Sequence, residues 1–157
     1  MLVSEAIKRI RSATHDITEE YTDVECVWSL NTAVHEISAA LIAGRSPFMV
    51  NSGTFADGDS IPSGFFRTAG SYPIRITGSK IKFLNDSTTM TIRYFAMPTE
   101  VTGINDDDKM PFDIESLNEL AIRIAVKQLS DENEFDISQD SAIQQELQSV
   151  LQQGLAG

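Results

Sequence analysis

A chain of 157 residues, 41% hydrophobic and 22% charged, has the composition of a globular protein and is long enough to bury one core. Its 23 Asp and Glu against 12 Lys and Arg give a net charge of −11, which argues against nucleic-acid binding through a basic patch. One cysteine, Cys26, excludes an intrachain disulfide, and no run of about 18 apolar residues offers a membrane span.

The N-terminal third reads as helix. Met1-Leu2-Val3-Ser4-Glu5 lacks the basic start and long apolar core of a signal peptide, so a cytoplasmic chain is expected. Ser4 is expected to cap a first helix with Ile7, Ile10 and Ala13 on one side. Lys8, Arg9 and Arg11, the only basic cluster in the sequence, lie on it. Thr22-Asp23-Val24-Glu25 has the spacing of a capping box and opens the longest helix, to about Ala43. Val27, Leu30, Val34, Ile37 and Leu41 alternate by three and four, an a/d seam that Cys26 and Trp28 flank. Gly44 is expected to stop this helix.

Residues 47–98 read as β. Pro47-Phe48-Met49-Val50 is expected as a short strand, and residues 51–63, rich in Gly, Asp, Ser and Asn, as a long mobile loop. That loop carries Phe55 and Ile61 as candidate docking anchors. Phe65-Phe66-Arg67 is a further short strand. Tyr72–Ile76 and Lys80–Leu84, separated by a turn at Gly78-Ser79, have the pattern of a hairpin. After the turn Asn85-Asp86-Ser87, residues 88–96 alternate with period two, and Pro98, which lacks an N–H, stops the strand. One small antiparallel sheet is expected.

An acidic connecting loop, residues 99–111, follows and contains Asp106-Asp107-Asp108. Asp113 is expected to cap the next helix, with Phe112 and Leu117 as a hydrophobic staple. Leu117, Leu120, Ala121, Ile124 and Ala125 form one apolar face, and Ile122, Val126 and Leu129 widen it, so that helix should be buried on most sides. Asp136, with Gln139 at the reciprocal position, is expected to cap a last helix that Gly154 ends. Its apolar stripe is Ile143, Leu147, Val150 and Leu151, and glutamines fill its polar side. Residues 1–46 and 112–157 are helical, and their seams are buried only if they pack together. The expected fold is therefore one α+β domain, residues 1–157, a helical bundle with a central antiparallel β insertion.

Catalytic and metal patterns are weak. His35-Glu36 lies mid-helix, but position 39 is Ala, so the two-histidine zinc pattern is missing. Cys26 and His35 are nine residues apart on one helix, about 13.5 Å of rise, too far for a nucleophilic pair. The three consecutive aspartates lack the alternation and central glycine of an EF-hand. No glycine-rich phosphate loop leads into a helix. No enzyme activity, metal or cofactor is expected.

Two helices, a β insertion, a strand ending Arg93-Tyr94-Phe95-Ala96-Met97-Pro98, the acidic loop with Met110-Pro111, and two closing helices form an order with a known counterpart. It resembles the head-to-tail adaptor (connector) proteins of tailed bacteriophages, closely over about the last 65 residues and loosely over the N-terminal helices. The β insertion is longer than in the small all-helical adaptors. The resemblance implies a structural virion protein of the neck, assembled in the host cytoplasm. It implies a ring, usually of twelve subunits, between portal protein and tail or tail-completion protein, with a channel for genome ejection past non-specifically adjacent DNA. On that reading Leu117, Ile122, Val126, Leu129, Ile143, Leu147, Val150 and Leu151 are candidate subunit or portal contacts, and Gln144, Gln148 and Gln152 candidate channel-facing residues. A tail-completion or tail-terminator ring is the alternative within that class. A ligand-binding β module with helical flanks is the alternative outside it, although Trp28, the only Trp, falls on a helix.

Overall fold

A computed structural model describes residues 1–14, 21–104, 108–130 and 141–156, the last three by backbone alone. The expected caps Asp136 and Gln139, like Asp106 and Asp107, lie outside the described residues. The fold is α+β: two N-terminal helices, a central antiparallel β region and two C-terminal helices. In chain order these are α1 (Val3–Ala13), α2 (Asp23–Ala43), β1 (Val50–Ala56), β2 (Phe65–Thr68), β3 (Ile74–Thr77), β4 (Lys80–Phe83), β5 (Thr89–Ala96), α3 (Glu115–Ser130) and α4 (Ser141–Ala156).

The capping box at the start of α2 forms as its spacing requires. The Glu25 N–H donates to Thr22 Oγ1 at 3.1 Å, and the Thr22 N–H donates to Glu25 Oε2 at 2.7 Å. The α2 seam is the spine of the core: Leu30, Val34, Ile37 and Leu41 are buried, and Cys26 with them. α2 packs chiefly on α3, α1 lies against both, and α4 closes over α2 and α3. Fully buried Ile10, Leu120, Ile124 and Ile143 bring all four helices into one core. Salt bridges tie the pairs at the surface, Arg9 to Glu119 at 3.7 Å between α1 and α3, and Arg123 to Glu146 between α3 and α4.

The helix ends depart from expectation in instructive ways. α1 starts at Val3 with Leu2 as its cap and no side-chain capping bond, so Ser4 lies inside the helix. α4 runs through Gly154 to Ala156. α2 does stop at Gly44, but Gly44 has an ordinary φ of −81°. The left-handed residue is Arg45, at φ 57°. The Arg45 N–H donates to the Ile42 carbonyl and the Ser46 N–H to the Leu41 carbonyl, each at 2.9 Å, which completes a Schellman motif. Gly44 is small for a different reason: a Cβ there would stand 2.5 Å from Leu151 Cδ2 of α4. α3 begins at Glu115, and Asp113 is exposed outside it. Asn118, from inside the helix, instead holds the residue that leads into it. Its fully buried amide accepts from the Phe112 N–H at 3.3 Å and donates to the Phe112 carbonyl at 2.8 Å, so Phe112 enters the core with both backbone groups satisfied.

The β region is two sheets, not one. β5 is the centre of a three-stranded antiparallel sheet of order β1-β5-β2, and β3 and β4 form a separate hairpin. Pro47–Met49 is a 3-10 turn rather than a strand, because the Ser46 hydroxyl caps it at the Phe48 N–H and proline occupies its first position. Residues 51–56, expected as a loop, continue the strand that Val50 begins. That strand pairs along β5 from Val50 opposite Phe95 to Ala56 opposite Thr89. The remainder of the expected loop is also held. The Gly58 N–H donates to the Ile81 carbonyl at 2.7 Å, the Ile61 N–H to the Ser79 carbonyl at 2.8 Å, and the Phe83 N–H to Asp57 Oδ1 at 2.8 Å. Polar composition marked a loop here, yet its backbone, with the Asp57 carboxylate, is hydrogen-bonded to the hairpin.

Period two holds along β5, with Ile92 and Tyr94 buried and Thr91 and Arg93 exposed, until Phe95 and Ala96 are both buried as the strand enters the helical core. Gly64 makes the return to β2 possible. It has φ 77°, and a Cβ would stand 2.4 Å from the Met97 carbonyl oxygen, while the Met97 N–H donates to the Gly64 carbonyl at 2.8 Å.

Candidate functional site

The residues expected to face a neighbouring subunit face this chain's own core. Leu117, Ile122, Leu129, Ile143, Leu147 and Val150 are buried in it, and Val126 and Leu151 are half-buried against it. Most of the apolar surface of α3 and α4 is thus consumed by folding one chain. Phe55 is not a loop anchor: it lies on β1, half-buried, with its ring edge-on to Tyr94 at 6.2 Å. Ile61 is half-buried and backbone-bonded to the hairpin. Gln148 and Gln152 are exposed on α4, and Gln144 is half-buried.

The outward apolar surface lies elsewhere. On α2, Val24 is 77% and Trp28 66% exposed, four residues apart and on the side away from Leu30. With Val27, Asn31 and residues 102–104 they line an open groove of about 430 Å³. Its far wall is fixed from α2 itself. The Val101 N–H donates to Asn31 Oδ1 at 2.8 Å, and Asn31 Nδ2 donates to the Val101 carbonyl at 2.7 Å. Asn31 and Asn118 therefore use one device on the two sides of the acidic connector, each bracketing a single residue by both backbone groups. The connector is also tied to the N-terminal segment, where the Val3 N–H donates to the Asp108 carbonyl at 2.9 Å and Leu2 bridges Lys109. The groove is consequently a preformed apolar surface on a rigid helix.

A second apolar surface lies on the β region. Phe66 is 57% and Ile76 38% exposed, and with Phe65, Tyr72 and Ile74 they line a shallow depression of about 640 Å³. It adjoins a depression of about 410 Å³ into which Arg45, Arg67 and Arg93 all open. Arg67 donates to the Ile42 carbonyl at 3.1 Å and lies over the Phe95 ring at 5.3 Å.

Sequence reasoning missed these features for different reasons. Val24 and Trp28 were legible as an apolar pair off the a/d seam. The arginines were not, since 22 and 26 residues separate them and only the fold joins the end of α2 to β2 and β5. His35 is exposed on α2, and Cys26 is buried on the same helix. Among the described residues no three His, Cys, Asp or Glu side chains converge as metal ligands, and no helix is long and apolar enough to cross a membrane. In comparisons with known proteins, the chain matches no family model, no curated protein and no solved structure.

Proposed function

We propose that this chain is a structural subunit of a tailed-bacteriophage neck, a head-to-tail adaptor that docks on the portal protein and helps form a ring through which DNA passes. The observation that carries the reading is the Val24–Trp28 groove, a preformed apolar surface built by α2 and braced by the Asn31–Val101 clamp. It stands on a fold whose element order is that of the resemblance: helices, β insertion, strand ending at Pro98, connector, helices. A protein whose task is assembly needs such a surface and needs it rigid, because ordering a flexible one on docking subtracts from affinity.

The outer face of α4 supports the channel part of the reading. Gln148 and Gln152 are exposed, and residues 130–157 contain no Lys or Arg, so this face offers moving DNA no cation to hold a phosphate. The tail-completion alternative shares the ring and differs in the partner that the Trp28 groove meets. The test is removal of the gene from the phage that encodes it. The reading expects DNA-filled heads without tails, made infectious by adding the purified chain in vitro. Heads that fail to package, or tails of uncontrolled length on otherwise joined particles, would contradict it, the latter in favour of a tail terminator.

A further inference from the structure

Charge in this chain is segregated by structure. Residues 47–98 carry five basic and three acidic side chains, whereas the rest carries seven basic and 20 acidic ones. The β region is thus net positive on a strongly negative molecule. Arg67 and Arg93 of β2 and β5, with Arg45 from the turn that follows α2, open into one depression with the hydroxyl-bearing Thr68 and Ser71. Among the described residues none of the three pairs with a carboxylate, whereas Arg9, Arg11 and Arg123 each do. Arg45 is also held in the left-handed region, where a side chain is strained and glycine is the usual occupant of this helix-end position. The same depression runs into the Phe66–Ile76 surface, sharing Arg67, Thr68, Gly70 and Ser71 with it. An apolar centre edged by guanidinium groups that no carboxylate among the described residues neutralises is the composition of a protein interface.

We propose that this surface receives the acidic helical surface of a second copy of the chain, carboxylates entering the arginine depression. Charge complementarity selects the occupant: a basic patch cannot face itself, so the contact joins two different surfaces of the chain. Glu36, Glu100 and Asp113, outside the β region, carry no ion pair among the described residues and are the kind of group it would take. The inference rests on the reading of the chain as a ring subunit, and its test is chosen so that either can fail alone.

The experiment is sedimentation velocity of the full chain over a concentration series, at about 20 mM and about 500 mM salt, with and without substitutions at the arginines. Association that grows with concentration and weakens at high salt is expected. Arg45→Gly, which removes a guanidinium and relieves the left-handed strain, should weaken it without lowering the thermal unfolding midpoint. Arg45→Gly with Arg93→Glu should weaken it by roughly tenfold or more. A monomer throughout the series, or association that both variants leave unchanged, overturns the proposal. So does binding of a labelled DNA duplex that the double variant abolishes, which would assign the arginines to phosphate. A monomer that still docks on portal rings would overturn this contact and leave the adaptor reading standing.

Discussion

Asn118 shows what a single amide does here. Its side chain satisfies both backbone groups of Phe112 in the core, so Asn118→Ala leaves an N–H and a carbonyl buried without partners. Each such group costs about 1–3 kcal/mol, and the variant should lose about 2–4 kcal/mol in denaturant unfolding. Asn118→Asp should be nearly as damaging, because it keeps the acceptor and loses the donor to the Phe112 carbonyl. Ser38 is the opposite case. Its hydroxyl is fully buried on α2 with no partner among the described residues, so Ser38→Ala should leave stability unchanged or raise it by up to about 1 kcal/mol. Arg45→Gly should likewise stabilise, by about 0.5–1 kcal/mol, through release of the positive-φ strain. Both are readable as shifts in the urea midpoint at constant slope.

At the scale of elements, α4 is part of the core and not an appendage. Ile143, Leu147 and Val150 are buried, and each contributes about 1.5–3 kcal/mol, so together they approach the net stability of a domain this size. Truncation before Ser141 should therefore yield an aggregating or molten chain by near-UV circular dichroism, not a folded subunit that merely fails to dock. A gentler probe is the contact between Gly44 and Leu151. Gly44→Ala puts a Cβ within 2.5 Å of Leu151 Cδ2 and should destabilise by about 1 kcal/mol or more. In a Leu151→Ala background the same change should be close to neutral, and that coupling would identify the pair as touching.

These elements also show what local sequence can reveal. The capping box at Thr22, the seam of α2, the alternation of β5 and the hairpin turn at Gly78 were legible because each is decided by a few neighbouring residues. Residues 51–61 were misread because their backbone is hydrogen-bonded to β5 and the hairpin, which a polar composition cannot distinguish from a loop. The interface residues were misplaced for a related reason. An apolar helical face announces burial but does not say whether its own chain or another covers it, and here α1 and α2 already cover α3.

For the whole molecule, the decisive contrast is between a helical body that is acidic and carries the Trp28 groove and a β region that is basic and carries the Phe66 surface. Two unlike surfaces on one chain suit a subunit with unlike neighbours. Trp28, the only Trp, reports on one of them. Its fluorescence should be that of a largely hydrated indole in the free chain and should shift to the blue when the groove is covered. Trp28→Ala should leave the unfolding midpoint nearly unchanged, since the ring is 66% exposed, and should weaken docking by on the order of 2 kcal/mol or more.

The most direct test of the adaptor reading is electron cryomicroscopy of purified portal rings incubated with the chain. The account predicts a symmetric ring of copies on the tail-facing end of the portal, with the Val24–Trp28 groove of each copy against portal residues and α4 toward the axis. Portal rings that remain bare at saturating chain, while Trp28→Ala and the unsubstituted chain behave alike, would contradict it.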